Sequence, residues 1–130
     1  MRSTKRRVFY AEDHEDTRQL LKHLLGQSNY EVCSAATIKD GLRLVRDQRF
    51  DLYLLSGRFE DGSGVEMCRH IRQLDPSTPI IFYSAAAHEA DKMSGINAGA
   101  QAYIAKPGNI FELVNTITQL INQQERAGHG

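Results

Sequence analysis

Five short apolar runs alternate along the chain with segments of helical periodicity, and this alternation limits the possible fold more than any other feature. The runs occupy residues 8–11, 32–35, 52–55, 80–83 and 103–105, and they are rich in β-branched and aromatic side chains. Each run is continuously apolar instead of alternating with polar residues, which is typical of strands buried on both faces of a parallel sheet.

Apolar residues recur at helical spacing between and after these runs. The clearest amphipathic stripe runs from Ile110 to Ile121, and Thr37 is well placed to cap a helix that contains Ile38 and Leu42. The resulting order βαβαβαβαβα predicts a three-layer α/β fold in which helices cover both faces of a parallel sheet. In such folds the functional crevice lies beyond the carboxyl ends of the strands.

Length and charge restrict the class of protein further. The 130 residues suffice for one domain, and 16 basic residues balance 16 acidic ones, so we expect neither nucleic-acid nor membrane binding. The basic start is followed by an apolar run too short for a signal peptide. Cys33 and Cys68 form no metal-binding motif, and we expect both to be core residues of a cytoplasmic protein.

Polar residues with complementary chemistry follow the predicted strands. Glu12 and Asp13 follow the first, Ser56 the third, Ser84 the fourth and Lys106 the fifth. The fold would gather two carboxylates, two hydroxyls and an ammonium at one rim. Carboxylate oxygens suit Mg²⁺, and a metal with a lysine suits the charge of a phosphoryl group in transfer.

Four strings of sequence carry a resemblance to a known family. They are AED at 11–13, DLYLLSGRFEDGSG at 51–64, IIFYS at 80–84 and AGAQAYIAKP at 98–107, and they resemble the receiver domains of response regulators in two-component signalling. The resemblance implies a flavodoxin-like, doubly wound sheet of five strands in the order 2-1-3-4-5. It implies a receiver domain over 7–122, an N-terminal extension over 1–6 and a tail over 123–130, with a signalling function and no enzymatic one.

The resemblance also implies a magnesium site with one element missing. Glu12 and Asp13 match the acidic pair that binds Mg²⁺, and the backbone carbonyl of Arg58 matches a third ligand. Ser56 stands where the family has its phospho-accepting aspartate, and Glu60 where a proline is common. We therefore expect weak Mg²⁺ binding and no organic cofactor.

The switch residues of the family have counterparts too. Ser84 matches the switch hydroxyl, Lys106 the phosphate-pocket lysine and Tyr103 the aromatic that moves with the switch. With no carboxylate at Ser56, we expect Lys106 to pair with Glu12 or Asp13. Receivers of this kind often have a cis peptide bond before the proline that follows the lysine, and we expect the same at Lys106–Pro107.

Ser56 itself leaves several interpretations open. A serine hydroxyl is a weak nucleophile without a neighbouring base, so the pattern favours a pseudo-receiver that works through protein contact. A serine kinase acting on Ser56 is an alternative, and the serine is either natural or an engineered block. A flavodoxin-type FMN protein is a minor alternative, because the acidic loop at 12–16 would repel a flavin phosphate.

The remaining alternatives concern single residues and partners. Glu12 and Asp13 would also suit a solvated helix start, Tyr103 a merely packed aromatic, and His14 a solvated loop. The expected partner is a sensor histidine kinase or another signalling protein that contacts the fourth and fifth helices and the fifth strand. We expect a monomer or a weak dimer.

Overall fold

A five-stranded parallel sheet forms the centre of the computed structural model, which describes residues 5–106 and 110–129. Its strands, listed in chain order, are β1 (Arg6–Ala11), β2 (Tyr30–Ala35), β3 (Leu52–Leu55), β6 (Ile80–Ser84) and β7 (Ala102–Ala105). They lie side by side in the order β2-β1-β3-β6-β7. Because β6 and β7 are the fourth and fifth predicted strands, the predicted order 2-1-3-4-5 is confirmed.

A small antiparallel hairpin follows β3, and the apolar runs of the sequence did not predict it. It consists of β4 (Arg58–Phe59) and β5 (Gly62–Ser63), and its turn contains Glu60 and Asp61. Glu60, at whose position the family commonly has a proline, thus lies in the turn of this hairpin. It lies beside the carboxyl end of the sheet and forms part of the rim there.

Five helices cover the two faces of the sheet and make the predicted three layers. Helices α1 (Glu15–Gln27) and α5 (Ile110–His129) contribute to the apolar cluster on one face. Helices α2 (Ile38–Asp47) and α3 (Gly64–Leu74) contribute to the cluster on the other face. The residues just after α4 (Glu89–Asn97) belong to the same cluster. The alternate residues of β1 divide between these clusters, with Phe9 in one and Tyr10 in the other. Among the described residues, no helix has the length and hydropathy that a membrane span requires.

The start of α2 is held by two side chains. Thr37 is the N-cap, as predicted, and its hydroxyl accepts a hydrogen bond from the amide of Asp40 at 3.1 Å. Asp61 in the hairpin accepts hydrogen bonds from the amides of Ile38 and Lys39, each at 3.0 Å. These two bonds lower the pKa of the Asp61 carboxyl. They also attach the hairpin to α2.

Helix α4 turns its large apolar side chains away from the core. Met93 and Ile96 are exposed, whereas Gly95 is the buried residue of the helix. The reason is steric, because a Cβ at Gly95 would lie 2.9 Å from the ring of Tyr103 and 3.0 Å from the ring of Phe82. The glycine therefore lets α4 approach two aromatic rings, and the apolar side chains of the helix face outwards.

Two further details bear on the expected boundaries. Helix α5 continues to His129, so it covers most of the segment 123–130 that we expect to be a tail, and β1 already begins at Arg6. The domain limits themselves stay a prediction. Cys68 is buried as expected, whereas Cys33 is only partly buried and packs against the same cluster.

Candidate functional site

The carboxyl ends of four neighbouring strands bring the predicted pocket residues together. Glu12 follows β1, Ser56 follows β3, Ser84 ends β6 and Lys106 follows β7. All four line one open cavity of about 390 Å³, together with Asp13 and residues of the hairpin. The sequence had predicted this convergence from the topology of the sheet.

Glu12 is the central charged residue of the cavity and is only 1% exposed. Its Oε1 atom accepts a hydrogen bond from the ammonium of Lys106 and a second from the hydroxyl of Tyr10 at 3.2 Å. Its Oε2 atom accepts a hydrogen bond from the backbone amide of His14 at 3.1 Å. The predicted pairing of Lys106 is thus confirmed, and the partner is Glu12. Its burial also rules out a solvated helix start for this residue.

Two tyrosines surround this ion pair. Burial, reinforced by the nearby charge of Glu12, raises the pKa of the Tyr10 hydroxyl, which therefore stays protonated as a donor. The same two causes raise the pKa of Tyr83. The ring of Tyr83 lies with its centroid 5.5 Å from Nζ of Lys106, which is within the range of a cation–π contact.

The oxygen atoms expected to bind Mg²⁺ at this rim differ in burial and in charge. Both oxygens of Glu12 already accept hydrogen bonds, Asp13 is exposed, and Ser56 contributes a neutral hydroxyl in place of a third carboxylate. Within residues 5–106 and 110–129 no three or more His, Cys, Asp or Glu side chains are grouped so that they would hold a metal ion. Arg58 lies in β4 and lines the cavity, and the role of its carbonyl stays a prediction.

Ser56 is held in the backbone framework between β3 and the hairpin. Its amide donates to the carbonyl of Ala11 at 2.9 Å, and the residue is only 6% exposed. The carbonyl of the next residue, Gly57, accepts a hydrogen bond from the amide of Gly64 at 2.9 Å. The lining residues, all in the described part of the chain, include no histidine that would activate the hydroxyl of Ser56.

Ser84 and Tyr103 meet at the loop that joins β6 to α4. The hydroxyl of Ser84 accepts a hydrogen bond from the amide of Ala86 at 3.1 Å, and the hydroxyl of Tyr103 donates to the carbonyl of the same residue. The ring of Tyr103 stacks on Phe82, with 5.3 Å between centroids and 17° between planes. Tyr103 is therefore packed and is also bonded to the loop that Ser84 contacts.

Three residues of the site were missed or read differently from the sequence. Tyr10 was counted only as part of an apolar run, although a tyrosine among buried aliphatic residues is a signal of a buried polar contact. Gly57 carried no signal. His14 is exposed, as expected of a solvated residue, and it is also the N-cap of α1, a role that was not predicted. The predicted cis bond at Lys106–Pro107 lies outside the described residues.

Comparison with known proteins gives one consistent result. The family model for the response regulator receiver domain matches residues 8–118. The chain is 35% identical over 123 residues to the nisin biosynthesis regulatory protein NisR of Lactococcus lactis, which covers 95% of this chain and 53% of NisR. The chain thus spans about half the length of that curated relative.

Two solved structures resemble the whole fold. A CheY-like receiver domain protein from Methanospirillum hungatei has a TM-score of 0.91 at 29% identity, over 95% of this chain and 99% of its own. The response regulator protein TrrA of Thermotoga maritima, solved in complex with Mg²⁺ and BeF, has a TM-score of 0.81 at 28% identity, over 88% and 98%.

Proposed function

The chain belongs to the response regulator receiver domain family of two-component signalling, and on that premise we propose that it is a pseudo-receiver, which signals by protein contact without forming an aspartyl phosphate. The observation that carries the proposal is that Ser56, which the resemblance assigns to the acceptor position, lines one cavity with a lysine that is already paired with Glu12. Receiver domains are in general signalling domains, and the absence of enzymatic activity is part of the same proposal.

The chemistry of the acceptor supports this proposal. An aspartyl phosphate forms only on a carboxylate, and the Ser56 hydroxyl has no adjacent base among the residues that line the cavity. Burial of Ser56 also argues against the alternative in which a serine kinase modifies it, because the segment around it would have to leave the sheet edge to enter another active site. The pseudo-receiver is therefore the better supported of the two functions.

Magnesium binding is the second part of the proposal. Glu12, Asp13 and Lys106 together carry one net negative charge, and an aspartate in place of Ser56 would add another. The TrrA structure holds Mg²⁺ with BeF, so a metal belongs to the chemistry of such relatives. We propose that Mg²⁺ binds here only weakly, through Glu12, Asp13 and the carbonyl of Arg58, and that no organic cofactor binds. The acidic loop after β1 argues against FMN.

The partner is proposed from the family and from exposed apolar residues. Met93 and Ile96 on α4 and Phe111 on α5 are exposed large hydrophobic side chains, and such residues are enriched in protein contacts when they cluster. A sensor histidine kinase or another signalling protein that binds α4, β7 and α5 remains the proposed partner. A cytoplasmic location, a monomeric or weakly dimeric state and the absence of nucleic-acid or membrane binding complete the proposal.

The decisive experiment restores the missing carboxylate. Wild type, Ser56→Asp and the neutral control Ser56→Asn are incubated with acetyl phosphate and Mg²⁺, and intact mass is measured before and after hydroxylamine treatment. We expect a hydroxylamine-labile phosphoryl adduct on Ser56→Asp alone, because positioning and electrostatics do most of the work in phosphoryl transfer. The same variant should bind Mg²⁺ more tightly than Ser56→Asn.

One outcome would contradict the pseudo-receiver proposal, and a second would contradict the expectation that the acceptor alone is missing. A hydroxylamine-labile adduct on the wild type would show that the chain has a working acyl acceptor. Failure of a folded Ser56→Asp variant to react would show that more than the acceptor has been lost, and the hairpin around Glu60 would be the first segment to examine.

A further inference from the structure

Gly57 occupies a position in which space, and not backbone conformation, demands a glycine. It lies between Ser56 and β4, and the backbone on both sides is fixed by the bonds from Ser56 to Ala11 and from Gly64 to Gly57. The glycines with positive φ in the described part of the chain are Gly62 and Gly99, so Gly57 does not need its freedom for a left-handed turn.

The side chain that Gly57 lacks would collide with the switch residues. A Cβ built on Gly57 would overlap the hydroxyl oxygen of Ser84, would lie 3.1 Å from the Cβ of Ser84 and would lie 3.6 Å from the hydroxyl of Tyr103. The hydroxyl of Ser84 therefore occupies the volume in which almost any other residue at position 57 would have its first carbon.

Tyr103 lies against a second position without a side chain. Gly95 on α4 leaves room for the ring of Tyr103, as described above, and Gly57 leaves room near its hydroxyl. Both glycines thus favour one arrangement of the two side chains. In it, the hydroxyl of Tyr103 donates to the carbonyl of Ala86, and the hydroxyl of Ser84 accepts a hydrogen bond from the amide of Ala86. The loop that joins β6 to α4 is thus held at Ala86, through both its amide and its carbonyl.

We propose that Gly57 is a positioning residue, which holds Ser84 and Tyr103 on Ala86 without any phosphoryl group in the pocket. The consequence of this inference rests on the proposed function. In a pseudo-receiver, the residue at position 57, and not a modification, sets the resting position of the loop that joins β6 to α4. A side chain at this position releases Ser84, then Ala86, and loosens the start of α4.

The experiment compares wild type, Gly57→Ala and the control Gly26→Ala by amide hydrogen exchange and NMR. Gly26 suits the control because no atom outside its own helical surroundings lies within 4 Å of the Cβ that alanine adds. In Gly57→Ala we expect exchange at the amide of Ala86 to rise by about tenfold, the size expected for losing one hydrogen bond, while amides of β1 keep their wild-type rates. Gly26→Ala should leave Ala86 unchanged.

A second variant keeps the test decisive if Gly57→Ala does not fold. Gly57→Ala combined with Ser84→Gly removes the atoms that collide, so this double variant should fold and retain nuclear Overhauser contacts between the ring of Tyr103 and Gly95. Wild-type exchange at Ala86 in a folded Gly57→Ala variant would overturn the inference. If Gly57→Ala does not fold, a double variant that also fails to fold would overturn it. Neither readout involves phosphate, so its outcome is independent of the acetyl phosphate experiment.

Discussion

In the buried ion pair of Glu12 and Lys106, we expect the loss of stability to depend on which of the two residues is replaced. Lys106 is 18% exposed at its side chain, whereas Glu12 is 1% exposed. Lys106→Met leaves a carboxylate inside the protein without its cation, a change that typically costs about 3–5 kcal/mol. Because Tyr10 and His14 still donate hydrogen bonds to Glu12, we expect a loss near the lower limit, about 3 kcal/mol.

The opposite substitution should cost much less. Glu12→Gln leaves an ammonium that can turn towards solvent or Asp13. The single amide oxygen can accept from the backbone amide of His14, and the NH2 group can donate to the hydroxyl oxygen of Tyr10. We expect a loss of about 1 kcal/mol, the size of one ordinary hydrogen bond. The double variant Glu12→Gln, Lys106→Met should be more stable than Lys106→Met alone, because the unpaired buried charge has gone.

Urea denaturation followed by far-ultraviolet circular dichroism measures these losses, and thermal unfolding supports them. For a domain of this size about 3 kcal/mol lowers Tm by roughly 10 °C. The matched control is Arg6→Met, which removes the cation of the more exposed ion pair with Glu125 and should cost less than about 1 kcal/mol.

Two results would contradict these expected losses of stability. A loss below about 1 kcal/mol for Lys106→Met would mean that Glu12 is not truly a buried charge in need of a partner. Strict additivity of the two single losses in the double variant would mean that the two side chains are not coupled, whatever their distance.

Two other groups give predictions of a simpler kind. Desolvation acts to raise the pKa of Asp75, but hydrogen bonds from Thr78 and Tyr53 among others outweigh it, so the pKa lies below its ordinary 3.8. The stabilisation from this carboxylate is therefore present above about pH 4 and lost as the pH falls further. In a plot of the free energy of urea unfolding against pH, Asp75→Asn should reduce the slope below about pH 4. An unchanged slope would contradict this prediction. Burial raises the pKa of the Cys68 thiol to about 11, so iodoacetamide should label Cys33 first in the native protein and Cys68 only after unfolding. Equal labelling by peptide mass mapping would count against this.

The sequence was sufficient for features that depend on periodicity and chain order. Continuous apolar runs and helical stripes predicted the sheet, and the rule for strand ends predicted that Glu12, Ser56, Ser84 and Lys106 would meet. The N-cap at Thr37 was predictable for the same reason, because a cap involves residues adjacent in the chain. Such features need no knowledge of distances between elements.

The features that escaped prediction are contacts between distant segments. The bond from Tyr10 to Glu12 depends on which face of β1 is turned to the pocket, and the outward position of Met93 depends on the space that Gly95 leaves for Tyr103. The hairpin and its link to α2 through Asp61 combine a short local structure with a partner more than 20 residues away. Periodicity contains no information on such pairings.

The attachment of the hairpin to α2 has a mechanical consequence. Since Asp61 accepts hydrogen bonds from the amides of Ile38 and Lys39, a movement of the pocket rim away from the first turn of α2 breaks both bonds and leaves these two amides to water. Such a movement therefore also frees the start of α2, which belongs with α3 to the layer on the side of the sheet away from α1 and α5. The rate of hydrogen exchange at the amides of Ile38 and Lys39 therefore measures how often the rim opens.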